Sequence, residues 1–138
     1  SIPEWAGGKK LKGLLLTPTR LYSPITEEIL GNDKIEVKGI ANITGGGFYD
    51  NIDRIILKNM DAIIYKDRWK VPPVFTALQD MGNISEKEMF HVFNMGIGLV
   101  MIISPSSIGD LKECAGVKGE DIIIIGEITG GTGKVHVK

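Results

Sequence analysis

Residues 40–51 read Ile-Ala-Asn-Ile-Thr-Gly-Gly-Gly-Phe-Tyr-Asp-Asn, with three adjacent glycines between a strand-like run and a segment of helical spacing. Without a Cβ, successive glycines let backbone N–H groups converge. A helix beginning behind them adds roughly half a positive charge. Thr44, Gly45, Gly46, Gly47 and Phe48 could thus cradle a phosphate or another oxyanion, with the Thr44 hydroxyl as a further donor and Asn51 as an amide one turn into the helix. The same string also reads as a tight strand-to-helix turn whose glycines serve packing, and the residues alone leave the two readings balanced.

A second place is Phe93-Asn94-Met95-Gly96-Ile97-Gly98. On a strand, Gly96 and Gly98 would share one face and leave it bare, so that a ligand or a packed helix approaches the main chain. Asn94 would hydrogen-bond a ligand there, although these residues by themselves favour the helix. Third is Arg20, in Thr17-Pro18-Thr19-Arg20. Its planar fork suits phosphate or carboxylate, but an Arg beside a turn more often serves a solvated or structural ion pair.

Several other chemistries are excluded. Gly130-Gly131-Thr132-Gly133-Lys134 is not a phosphate-binding Walker loop, because position 128 is Ile and Val135 follows the lysine. It reads as a hairpin turn. His91 and His136 lack Cys or carboxylate partners at ligand spacing, so no zinc site is expected. No dense carboxylate cluster is present to hold magnesium. Asp50 and Asp53 read as solvated helix charges, and Cys114 as packing. Sixteen basic against seventeen acidic residues, without a basic block, argue against a nucleic-acid partner. The longest apolar run, residues 97–103, is far short of the ~20 residues of a membrane span. No signal or transit peptide is evident at the start. A single cysteine, unable to bridge internally, points to a reducing, cytoplasmic compartment.

The elements that must position these groups form one α/β domain over 1–138, a length at which a core needs no staple. Residues 1–11 read as a loose lead-in, and the opening Ser1 suggests a piece of something longer. Strands are expected at 14–16, 37–43, 61–65, 95–103, 122–125 and 135–137, the last two as a hairpin. The strand at 95–103 is nearly all apolar, as if covered on both faces. Helices are expected from Ser23 to Gly31 with Ser23 as N-cap, over 48–57, from Pro73 to Gly82, after the Ser85-Glu86-Lys87-Glu88 capping box, and from Ser104-Pro105 to Gly116. Eighteen of 138 residues are glycine, roughly twice the usual share of about 7%.

Taken in order, Leu16-Thr17-Pro18-Thr19-Arg20-Leu21-Tyr22, the 39–48 glycine string with Asn51-Ile52 and Arg54, Pro73-Val74-Phe75, Leu78-Gln79, Gly82-Asn83 and Met89-Phe90 through Gly98 resemble the C-terminal domain of the phosphoribosylformylglycinamidine cyclo-ligase (AIR synthetase) family. The resemblance runs over the chain after the lead-in. It implies an α/β layer with a mixed sheet flanked by helices, distantly ferredoxin-like. It also implies a cytoplasmic homodimer that uses ATP and magnesium to close the imidazole ring of a ribonucleotide in purine synthesis. In that family an N-terminal domain, absent from this chain, carries most ATP and metal contacts, and the active site is a cleft between the domains. Carried onto this sequence, Thr44, Gly45, Gly46, Gly47 and Phe48 would line the cleft, Asn51 and Arg20 would flank it, and Asn94 with Gly96 would form the neighbouring wall. This chain has Asn42 where the family commonly has His, and an amide is no general acid or base near neutral pH. The catalytic proton carrier is therefore left unassigned. Tyr22-Ser23-Pro24 replaces a usual Val-Lys, so no lysine role falls there. Related ATP-using enzymes (thiamine-phosphate kinase, selenophosphate synthetase, formylglycinamidine ribonucleotide synthetase, hydrogenase maturation factor) and a non-catalytic phosphate-ligand domain are the alternatives.

Overall fold

The computed structural model describes residues 10–138 together with Ala6 and Gly8. Of the expected lead-in over 1–11, positions 1–5, 7 and 9 lie outside the described residues. The described elements are α1 (Leu11–Leu15), α2 (Ser23–Leu30), β1 (Val37–Asn42), α3 (Gly47–Asp53), β2 (Met60–Ile64), α4 (Pro73–Gly82), α5 (Glu86–Val92), β3 (Leu99–Ile103), α6 (Ile108–Val117), β4 (Gly126–Gly130) and β5 (Val135–Val137). Short 3-10 turns at Lys66–Arg68 and Pro105–Ser107 link β2 towards α4 and β3 to α6.

The architecture is α/β with a mixed sheet, as expected, but the strands divide between two sheets. β1 pairs antiparallel with β3, while β2 lies between β4 and β5, antiparallel to the first and parallel to the second. The β1–β3 pair separates two apolar clusters. An irregularity between Val37 and Gly39 reverses the alternation, so Val37 and its partner Ile103 face one cluster, while Ala41 and its partner Val100 face the other. The first cluster joins Ile25 and Ile29 of α2 to Leu111 and Ala115 of α6. The second gathers Phe48 and Ile52 of α3, Met89 and Phe90 of α5, and Ala62 and Ile64 of β2.

Several expected elements differ. Residues 14–16 are not a strand; α1 ends there, its turn closed by the Gly13 and Leu14 N–H groups donating to Lys10 O at 2.9 and 3.2 Å. α2 begins at Ser23 with Tyr22 as its cap residue, one position earlier than read. α3 stops at Asp53, four residues short of the expected end. The strand expected over 95–103 starts only at Leu99, because Met95 and Gly96 take left-handed φ angles of 50° and 95°. Pro105–Ser107 is a 3-10 turn ahead of α6, which runs on to Val117. Residues 122–125 form no ladder. They cross from one core to the other, Ile122 packing into the first and Ile125 into the second. The capping box at Ser85 forms as read, with the Glu88 N–H donating to Ser85 Oγ at 3.2 Å.

Nor do the last two strands form a hairpin. β4 ends opposite Met60 and the chain rounds the start of β2 to reach its other edge. Asp61 explains the detour. Its Oδ1 accepts the Thr132 and Lys134 N–H groups at 2.7 and 2.8 Å, and its Oδ2 lies 2.9 Å from His136 Nε2. The His136 hydrogen bond, reinforced by the two loop amides, lowers the Asp61 carboxyl to about 2. A depressed carboxyl adds stability above its unfolded value of about 3.9, and that contribution is lost as pH falls towards 2. Asp61→Asn is accordingly expected to be less stable than the parent at neutral pH, with the gap closing below about pH 4. Urea midpoints measured across that range check this, and a gap that stays constant into acid would remove Asp61 as the anchor of the crossing loop.

Candidate functional site

β1 and β3 run antiparallel, so the exit of one strand and the approach to the other meet at the same end. Asn42 pairs with Leu99, and the Ile43 N–H donates to Gly98 O at 2.9 Å. The Thr44–Gly47 loop and the Asn94–Gly98 loop therefore lie side by side.

In the first loop, Thr44 and Gly45 are exposed, Gly46 is half-buried and Gly47 is buried. Gly46 and Gly47 have φ of 93° and 55°. A Cβ on Gly47 would run into the Phe90 carbonyl of α5, whereas one on Gly45 would meet nothing within 4 Å. Packing and bareness thus belong to different glycines of the same triplet. Phe48 is fully buried, main chain included, its ring 5.4 Å from that of Phe90, so it enters the core and, contrary to expectation, offers nothing to the surface.

Asn51 is buried and points back under the loop. Its Nδ2 donates to Gly47 O at 2.7 Å, Gly45 O at 3.3 Å and Thr44 O at 3.4 Å. This places Asn51 as the residue that holds the loop. It also fixes the amides. In a planar trans peptide the carbonyl and the next N–H point in opposite directions. With the Thr44 and Gly45 carbonyls drawn inward, the N–H groups of Gly45 and Gly46 are turned away from Asn51. Among the described residues neither has an acceptor.

The expected helix-end charge contributes less. α3 has seven residues and carries Asp50 in its first turn. The Asp50 carboxylate lies where a Gly46 side chain would go, with His91 Nε2 3.4 Å from its Oδ1. What the loop itself offers an anion is the pair of unpaired Gly45 and Gly46 N–H groups.

The second loop is a wall of main chain. The Gly96 N–H donates to Asn94 Oδ1 at 3.0 Å, which leaves the Asn94 Nδ2 group for other partners. Gly96 rests on the Pro72 ring. Beneath the loop, Trp69 Nε1 donates to Met95 O at 2.9 Å, and the indole stacks on Phe48 at 5.7 Å between centroids. Tyr22 lies against Gly98, filling the space a side chain would need.

Arg20 stands two residues before Tyr22, exposed, and its Nη2 lies 2.6 Å from Glu120 Oε1. The ion-pair reading of this arginine is thus realised, and the fork is committed to a carboxylate. Asn42 is exposed at the end of β1. A shallow concavity of about 480 Å³ lies elsewhere, its lining including Asp50, His91, Lys134 and His136 but neither exposed loop. Trp69, Tyr22 and Glu120 carry no local motif; each gains its place from a partner 26 to 100 residues away.

These features define an α/β domain in which two glycine-bearing turns lie side by side at one end of the β1–β3 pair. Residues 3–138 match the family described as AIR synthase related protein, C-terminal domain, and the chain belongs to that family. It is 44% identical over 134 residues to the phosphoribosylformylglycinamidine cyclo-ligase of Thermoanaerobacter sp. (strain X514), a match covering 97% of this chain and 38% of the relative. Identity to the protein of that name from Caldanaerobacter subterraneus subsp. tengcongensis is 44% over 128 residues, 93% of this chain and 37% of the relative. For the one from Geobacillus thermodenitrificans it is 43% over 119 residues, 86% and 34%. The chain spans little more than a third of the length of these relatives. No helix among the described residues is long and apolar enough to cross a membrane.

Proposed function

We propose that this chain is the C-terminal part of a phosphoribosylformylglycinamidine cyclo-ligase, and that its two glycine loops hold the phosphate-bearing ribonucleotide while the ring closes. Support comes from the relatives' names and from the paired outward amides of Gly45 and Gly46 beside the Asn94–Gly98 wall. In the reaction, ATP phosphorylates the amide oxygen of formylglycinamidine ribonucleotide. An internal amine then attacks that carbon and phosphate leaves, giving aminoimidazole ribonucleotide.

The residues of this chain bind and orient. The amides of Gly45 and Gly46 donate to phosphate oxygens, the Thr44 hydroxyl adds a donor, and Asn94 Nδ2 reaches in from the second wall. Arg20 takes a ligand anion only by exchanging it for Glu120. Asn42 donates or accepts a hydrogen bond without moving a proton. Among the described residues no group of three or more His, Cys, Asp or Glu could hold a metal ion. On the family resemblance, ATP and magnesium are assigned to the longer protein's remaining part, which completes the cleft. The whole protein, in this reading, is a cytoplasmic homodimer.

Gly45→Val in the full-length enzyme is the cleanest probe. Position 45 has room for a side chain and no left-handed φ, so the fold should tolerate it. Crowding of the two amides is expected to raise KM for the ribonucleotide about tenfold or more with little change in melting temperature. An unaltered KM would sink the assignment of this loop to the ligand.

A further inference from the structure

We infer that Trp69 is a positioning residue that sets the spacing of the two glycine loops, an inference that rests on the ligand reading of those loops. One rigid side chain holds both. Its ring stacks on Phe48, the residue directly after Gly47, at 5.7 Å and 18° between planes. Its Nε1–H is bonded to the Met95 carbonyl in the other loop at 2.9 Å. Phe90 closes the arrangement edge-on at 6.2 Å, so the indole has a neighbour at right angles to the stack.

The second loop requires such a hold. Met95 is buried with φ of 50°, and Gly96 follows at 95°. A non-glycine residue takes this region only where its surroundings over-determine it. The segment from Trp69 to Pro72 supplies that support twice, through the indole N–H on Met95 O and the Pro72 ring under Gly96. Because an indole is planar and has a single donor, the stack and the hydrogen bond are satisfied at only one ring position. Moving either loop breaks one of them. The gap between the outward Gly45 and Gly46 amides and the Asn94 side chain is thereby set by Trp69.

The test is Trp69→Phe in the full-length enzyme, which keeps a stacking ring and removes the donor. Expected is a rise in KM for the ribonucleotide of about three- to tenfold with kcat within about twofold, the scale of one misdirected hydrogen bond. In glycine-labelled protein the amide signals of Gly45, Gly46 and Gly96 should shift together. A purely structural role would lower the folded fraction, and so Vmax, with KM unchanged and shifts confined to Gly96. That outcome overturns the inference. If Trp69→Phe does not fold, Trp69→Tyr removes the same Nε1–H donor while keeping a larger ring on Phe48, and an unchanged KM there counts equally against it. Gly45→Val separates the two levels. A silent Gly45→Val removes the ligand reading and the inference with it. A responsive Gly45→Val beside a silent Trp69→Phe removes only the inference.

Discussion

Gly47→Ala is expected to lose about 3–5 kcal/mol of stability, read as a fall in urea midpoint at unchanged slope. Two effects add. The residue sits at φ 55°, a region that costs an L side chain roughly 1–3 kcal/mol. Its new methyl would also enter the α5 backbone, 2.7 Å from the His91 carbonyl carbon and 2.8 Å from that of Phe90. A flexible side chain could step aside, but a helix backbone cannot without moving everything attached to it. α5 is capped by Ser85 and pinned by Met89 and Phe90, at 0% and 3% exposure. Gly45→Ala, two positions earlier, should stay within about 0.5 kcal/mol of the parent. A loss below about 1 kcal/mol for Gly47→Ala would mean that α5 yields, and the loop would then owe its shape to Asn51 and to the Gly47 N–H bond on Thr44 O.

That contrast bears on how far the sequence could be read. The triplet admitted two explanations, a ligand cradle and a packing turn, and the structure distributes them. Gly47 packs, Gly45 is bare, and Gly46 bends between them beside Asp50. Which glycine does which depends on where α5 lies, more than forty residues on, and no local pattern encodes that. Features closed within one turn were legible. The Ser85 cap forms with the Glu three residues later, and α4 runs from Pro73 to Gly82 as its proline and glycine announce.

Features that depend on a distant partner were not legible. The hairpin expected at the end is undone by Asp61, which captures loop amides 71 and 73 residues later in the chain. The isoleucines at 122–125 have strand chemistry but serve as a bridge between two cores. Arg20 was readable as either a ligand fork or an ion pair, and Glu120, a hundred residues away, decides for the pair. Asn51 was placed at the correct loop in the wrong direction. One turn into a helix, a short amide can reach outward to a ligand or back to its own loop, and the left-handed Gly46 and Gly47 bring the carbonyls within reach.

Asn51→Asp should therefore be the other severe substitution, and its signature is in its pH dependence. The change is nearly isosteric, so packing is kept. What changes is the sign of the group facing three carbonyl oxygens, the nearest 2.7 Å from the present donor. At neutral pH a carboxylate there is buried, unpaired and opposed by carbonyl dipoles, and about 3–5 kcal/mol should be lost. Burial and those dipoles both disfavour the charged form, so the folded pKa of the introduced group lies above its unfolded value. With the folded value raised, the variant is most stable below the unfolded value of about 3.9 and loses stability as pH rises through the folded one. The protonated acid restores one O–H donor, enough for the Gly47 carbonyl. Asn51→Ala removes the donors without adding a charge, and its deficit should not vary with pH. Urea unfolding of both variants between about pH 4 and pH 8 separates these cases. Equal, pH-independent losses would mean that the Thr44 and Gly45 carbonyls do not face this side chain. The Thr44 carbonyl would still be held by the Gly47 N–H at 3.0 Å, but nothing would fix the Gly45 carbonyl, and the outward set of the Gly46 amide would lose its support.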